Sequence, residues 1–152
     1  MEYLKDMQVR LCLKETGTVY LRQPSLTSPD AVKDVLVERL KDSSREEAVI
    51  ICLDIGNHLI NICTVAIGTV NTCQISMAEI FKAAFLSNAA KVIFAHNHPS
   101  GDVTPSEHDR NITETLIKAG QLMGLPLLDH IIVGSMTGSC YSFFEHSPEL
   151  FS

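Results

Sequence analysis

The segment His96-Asn97-His98-Pro99 sets two imidazoles two residues apart at the end of a short apolar run. In extended backbone, residues i and i+2 share a face, so both rings can converge on one ion. Asp109 follows eleven residues after His98, in the first turns of a helix that the turn at residues 99–103 can swing back over the strand end. Ser106 lies three residues before Asp109, and that spacing puts both on one helical face. Two neutral imidazoles and a carboxylate suit Zn²⁺ at about 2.0–2.2 Å, and three protein ligands leave a fourth position for water, as in catalytic rather than structural zinc. One such ion per chain would lower the pKa of that water toward about 7. Hydrolysis also needs a base to carry the proton and a donor for the developing oxyanion, and the Ser106 hydroxyl can be that donor.

Positioning these groups requires a strand ending at His98 and a helix starting near Asp109. Residues 91–95 form a short buried strand leading into the histidines, and Pro99 and Gly101 force the chain out of the sheet. Thr104-Pro105-Ser106-Glu107 predicts the helix start, with Thr104 and Glu107 as a capping box and Pro105 in the first helical position. The helix should run to Met123 and stop at Gly124-Leu125-Pro126.

Upstream, Ser28-Pro29-Asp30 signals another helix start, and Val32, Val35, Leu36 and Leu40 fall on one face. Residues 48–53 read as a central strand buried on both faces, paired through a Gly56-Asn57 turn with Leu59–Ile67. Ser76 and Glu79 have capping-box spacing, and the helix after them places Ile80, Ala84 and Phe85 together. Residues 127–133 and 141–144 read as two late strands. The order α-β-β-α-β-α-β-β predicts an α/β (α+β) fold, a mixed β-sheet flanked by helices. Residues 1–26 read as a lead-in in which residues 7–13 could be an edge strand, free to pair between two copies as a homodimer. The main domain is residues 27–152.

Composition sets limits. At 152 residues, with 45% hydrophobic and 20% charged, one domain can bury its own core without a structural metal, so a metal here is functional. A net charge of −6 argues against a broad nucleic-acid footprint, though not against a small basic groove. The five cysteines have no C-x-x-C spacing and read as reduced thiols of a cytoplasmic protein. No signal peptide opens the chain, and no apolar stretch reaches the roughly 20 residues a membrane span needs, so no membrane partner is expected.

The full pattern, H-x-H-P-x₆-S-x-x-D, resembles the JAMM motif of the MPN (JAB) metalloprotease family. The string His96 to Asp102, continuing to Asp109, and the later Leu128-Asp129-His130-Ile131-Ile132-Val133-Gly134 resemble the RadC branch of that family, over roughly residues 25–145. The resemblance implies the MPN/JAB (cytidine-deaminase-like) three-layer architecture and water-driven cleavage of a peptide or isopeptide bond in a protein or peptide substrate. It implies His96, His98 and Asp109 as zinc ligands and Ser106 as the group assisting the tetrahedral intermediate. It also implies a general-base glutamate near the first central strand. Glu46 and Glu47 both precede that strand; spacing in the RadC branch favours Glu46, and strand parity does not separate them. The helix-hairpin-helix region usual in that branch has no room before residue 26.

Other readings attach to the same residues. The alternative class is a nucleic-acid-associated RadC-like protein, either a metal-dependent phosphodiesterase or a non-catalytic binding or scaffold domain. The acidic pI of about 5.4 and the lack of a second acid cluster weigh against the phosphodiesterase. Adjacent His-Asn-His is not the spaced constellation of an HNH nuclease. Thr104 and Glu107 read as caps, and His108 as solvent-facing. Asn97 points away from the ligands and is placed to fix loop backbone. Asp129 and His130 either orient a ligand or form a buried hydrogen-bonded pair. Residues 70–76 and 134–139 are candidate cleft loops.

Overall fold

A computed structural model describes residues 12–17, 28–68 and 75–152. The expected edge strand at residues 7–13 and cleft loop at 70–76 fall almost entirely outside them. Within the described residues the order is α1 (Pro29–Leu40), β1 (Glu47–Leu53), β2 (Leu59–Ile67), α2 (Met77–Leu86), β3 (Lys91–His98), α3 (Glu107–Met123), β4 (Leu127–Gly134), β5 (Cys140–Ser142) and α4 (Phe143–His146), then a 3₁₀ turn at Pro148–Phe151.

The strands form one five-stranded mixed sheet in the order β2-β1-β3-β4-β5. Only β3 and β4 are parallel, joined by the α3 crossover; the other neighbours are antiparallel. β1 and β3 occupy the interior of the sheet, which is why their sequences are apolar on both faces. Alternation along β1 sorts the two faces. Val49, Ile51 and Leu53 pack with Val32, Val35, Leu36 and Leu40 of α1. Ala48, Ile50 and Cys52 pack with Ile80 and Ala84 of α2 and Ile112 and Leu116 of α3. The result is three layers, with α1 on one face and α2 and α3 on the other, as an α/β sandwich requires.

Local signals account for most boundaries. Ser28 caps α1, its hydroxyl accepting the Ala31 N–H at 3.2 Å, with Pro29 opening the helix. Ser76 caps α2 in the same way, but Glu79 does not complete the box: its carboxylate instead takes Lys82 Nζ at 2.6 Å. Phe85 is exposed, and Phe81 takes the core place beside Ile80 and Ala84. α3 ends at Gly124, whose φ of 68° is the left-handed conformation that glycine adopts without a Cβ penalty.

Two further expectations need correction. α3 begins two residues later than Thr104-Pro105 implies: Ser106 is its N-cap and Asp109 its third residue. Thr104 instead folds against Asp102, whose Oδ1 accepts both its N–H at 2.9 Å and its hydroxyl at 2.7 Å. The last strand is also shorter than residues 141–144. Ser142 accepts the Glu145 N–H and starts α4, so Phe143 and Phe144 are helical. No described helix is long and apolar enough to cross a membrane.

Candidate metal centre

β3 carries His96 and His98 on the α2/α3 side of the sheet, the side of Phe94 and Val92. Ala48 of β1 and Ile132 of β4 flank His96 in register, so it is fully buried, while His98 at the strand end is half-buried. After His98 the chain turns: the His98 carbonyl accepts both Gly101 N–H and Ser135 N–H at 3.0 Å. Gly101 has φ 83°, and its carbonyl would lie 2.5 Å from a Cβ on Gly134. Both positions therefore need glycine, one for its backbone angle and one for close approach of the two loops.

The turn brings the start of α3 over the histidines. Ser106 and Asp109 form a reciprocal capping box, Ser106 Oγ accepting the Asp109 N–H at 3.1 Å and Asp109 Oδ2 accepting the Ser106 N–H at 2.8 Å. Asp109 is buried, and its carboxylate lies 3.1 Å from His96 Nε2 (Oδ1) and 3.4 Å from His98 Nε2 (Oδ2). The two Nε2 atoms are 3.1 Å apart. One ligand atom from each of His96, His98 and Asp109 lies within 4.8 Å of the others, a donor set able to hold a metal ion.

The electrostatics agree. Burial acts to raise the Asp109 pKa, but hydrogen bonds from His96 and His98, the charge of His96 and the Ser106 N–H outweigh it, and the carboxyl lies well below its usual range. It is a carboxylate at neutral pH. Its hydrogen bond to His98 raises the His98 pKa against partial desolvation. Each imidazole also has a partner on its far nitrogen: His98 Nδ1 donates to the Asp102 carbonyl at 2.7 Å, and His96 Nδ1 lies 2.9 Å from His130 Nε2. That leaves both Nε2 atoms directed at Asp109.

Glu46 and Glu47, which the sequence leaves adjacent and ambiguous, separate in space. Glu47 shares the α1 side of β1 with Val49, and its carboxylate accepts Arg39 Nη2 at 2.9 Å and the Ser43 hydroxyl at 2.8 Å. Glu46, on the opposite parity, is half-buried, and its charge contributes to raising the His98 pKa. Asn97 faces away from the ligands and fixes loop backbone, as expected: fully buried, it accepts the Glu47 N–H and donates to the Ser43 and Arg45 carbonyls and the Ser135 hydroxyl. Ser106 is exposed beside Asp109, and His108 is exposed on the outer face of α3.

Asp129 and His130 are not a side-chain pair. Asp129 accepts the Ser142 hydroxyl at 2.6 Å, the Phe144 N–H at 2.9 Å and the His130 N–H at 2.7 Å, and so ties β5 and α4 to β4. His130, fully buried between Phe94 and Phe143, turns to His96 on one side and to Thr113 Oγ1 at 2.6 Å on the other. Burial and the neighbouring His96 hold its pKa well below the usual histidine value. Thr113 and the Asp102 carbonyl are the site partners that motif reading misses; the one available signal is that Thr113 falls four residues after Asp109, on the same helical face. The cavity of about 960 Å³ beside Arg39, β2 and residues 12–17 includes none of these groups.

Comparison with known proteins agrees with this arrangement. The sequence matches the RadC-like JAB domain family over residues 26–148. The chain is 40% identical over 134 residues to the UPF0758 protein YfjY of Escherichia coli, spanning 88% of this chain and 79% of that protein. It is 44% identical over 126 residues to a UPF0758 protein of Vibrio cholerae, covering 83% of this chain and 78% of the relative. A UPF0758 protein of Caldanaerobacter subterraneus is 41% identical over 129 residues, 85% of this chain but 54% of that protein. The chain thus spans about half the length of several curated relatives. With the motif, the sheet order and the family match in agreement, the chain belongs to the RadC-like JAB domain family.

Proposed function

We propose that this chain is a zinc-dependent hydrolase of the JAMM type, cleaving a peptide or isopeptide bond of a protein substrate with water. The observation that carries this reading is the convergence of the His96, His98 and Asp109 ligand atoms within 4.8 Å at a half-open sheet end. These residues would hold one zinc ion per chain. When bound, the ion supplies Lewis acidity, drawing the pKa of water toward about 7 and polarising the scissile carbonyl.

The chain's own groups do the proton work. Glu46 is the base: it takes the proton of the attacking water and returns it to the leaving amine, as one carboxylate can do in both directions. Glu47 is committed to Arg39 and Ser43 and does not compete for that role. Ser106 is the oxyanion donor. Its oxygen accepts the Asp109 N–H, so its own proton is free to point at substrate. The buried His96 side of the site excludes water, while the exposed Ser106 and half-buried His98 mark the side where an extended peptide enters. The four described cysteines are free thiols, in keeping with a reducing compartment such as the cytoplasm.

The test is a screen of zinc-loaded protein against fluorogenic peptide and isopeptide-linked libraries. Cleavage that a chelator stops and zinc restores is the expected result. Metal-loaded protein that leaves every amide intact while cleaving a phosphodiester would replace this reading.

A further inference from the structure

His96, His130, Thr113 and the Asp109 main chain form one continuous hydrogen-bonded line. His96 Nδ1 lies 2.9 Å from His130 Nε2, His130 Nδ1 lies 2.6 Å from Thr113 Oγ1, and Thr113 Oγ1 lies 2.8 Å from the Asp109 carbonyl oxygen. Each of the three side chains is fully buried, so water supplies no alternative partner. Each short contact must hold one proton.

The direction of every proton follows from the last member. A carbonyl oxygen only accepts, so the Thr113 hydroxyl donates to it. Thr113 has a single proton, now used, and must accept from His130 Nδ1–H. A fully buried neutral imidazole has one ring proton, so His130 Nε2 is a lone pair. The 2.9 Å contact then needs its proton from His96, on Nδ1. When His96 is neutral, as a metal-binding imidazole must be, its Nε2 is then a lone pair facing Asp109 and His98. On the other imidazole, the Asp102 carbonyl takes His98 Nδ1–H and does the same in one step.

We propose that Thr113 and His130 are positioning residues that relay the acceptor-only character of the Asp109 carbonyl to His96, holding it in the tautomer whose Nε2 can bind a divalent cation. Asp109 thereby acts twice, its carboxylate as a ligand and its main chain as the anchor of the opposite ligand's tautomer. The stacking of Phe143 on His130, with centroids 4.7 Å apart and planes 15° apart, fixes the ring in the plane the relay needs. The cation-binding role rests on the function proposed above; the proton order within the line does not.

Two measurements test it. The first uses ¹⁵N-histidine-labelled wild-type protein, metal-free, at a pH above the histidine range, and reads the tautomer of His130 from its long-range ¹⁵N–¹H couplings. His130 protonated on Nδ1 is expected, although a free histidine side chain favours the other nitrogen. Protonation on Nε2 overturns the relay. The second measures zinc affinity by chelator competition for Thr113→Val and Thr113→Ser. Valine keeps the shape and removes the hydroxyl, freeing His130 to protonate Nε2 and push the His96 proton toward the metal side. A 10- to 100-fold loss of affinity is expected, with wild-type affinity kept by Thr113→Ser. Wild-type affinity in Thr113→Val overturns the proposal even when the fold is unchanged. If valine prevents folding, the wild-type tautomer decides alone. If the wild type holds no zinc, the proposed function falls, and the tautomer still decides the relay.

Discussion

Asn97 Oδ1 accepts the Glu47 N–H at 2.7 Å, while Asn97 Nδ2 donates to the Arg45 carbonyl at 2.9 Å. The two peptide units flanking Glu46 are therefore held by the residue that separates the two histidines. Coupling of strand β3 to the entry of β1 is built into the tripeptide His96-Asn97-His98. Asn97→Ala takes this partner from the Glu47 N–H and the Arg45 carbonyl, while the Ser43 carbonyl and Ser135 Oγ keep their bond to each other. Each buried group left unpaired costs about 1–3 kcal/mol. The variant should unfold at a lower urea concentration than wild type, keep its metal, and turn over more slowly because Glu46 is released. An unchanged unfolding midpoint would show that the clamp contributes nothing.

Legibility in the sequence follows how local each determinant is. Helix α1 can be read directly, because its cap Ser28, its Pro29 and its stripe Val32, Val35, Leu36 and Leu40 are all near neighbours. The cluster of His96, His98 and Asp109 is legible for the same reason: two-residue spacing on a strand and a short loop confine it. The start of α3 is not, because two overlapping frames obey the same capping rule. Thr104–Glu107 and Ser106–Asp109 both have the spacing; the second holds because Asp102 takes Thr104 and the histidines draw Asp109 inward. Glu46 and Glu47 cannot be ranked from a strand apolar on both faces; Arg39 and Ser43, far from the motif, take Glu47. Thr113 escapes notice because a threonine bonding back to the i−4 carbonyl is ordinary in any helix. Its meaning depends on His130, which arrives from another strand.

The separation of Glu46 from Glu47 has kinetic consequences. Glu46→Gln should keep its metal and lose turnover by about 10²–10⁴-fold, the usual contribution of a positioned acid–base group. Glu47→Gln weakens a partly exposed ion pair, costs less than about 1 kcal/mol and should leave turnover near wild type. Steady-state rates of the two variants, side by side, check this. Equal losses would mean that neither carboxylate is the base.

Substitution can part the observed cap role of Ser106 from its proposed oxyanion role. Glycine is nearly as good an N-cap as serine, costing a few tenths of a kcal/mol, whereas alanine costs about 1 kcal/mol. Both remove the hydroxyl, and both should lower turnover by about 10²–10³-fold, as loss of an oxyanion donor does. Thermal unfolding and rate measurements on Ser106→Gly and Ser106→Ala give the comparison. Full turnover in Ser106→Gly would reduce Ser106 to a cap.

Asp109→Asn separates ligand charge from helix capping. The amide oxygen can still accept the Ser106 N–H, so α3 should keep its start and the variant its circular dichroism spectrum. Loss of the carboxylate should remove most bound zinc. Zinc retained at wild-type level in a folded Asp109→Asn would exclude Asp109 from the ligand set.

The central claim is that His96, His98 and Asp109 hold one metal ion, and elemental analysis of purified protein tests it most directly. Wild type prepared without chelators and offered zinc should carry about one ion per chain after desalting, and His96→Ala/His98→Ala none, since a three-ligand zinc site does not survive loss of two ligands. Wild type that holds no zinc under these conditions, or a double variant that holds as much as wild type, would contradict the account.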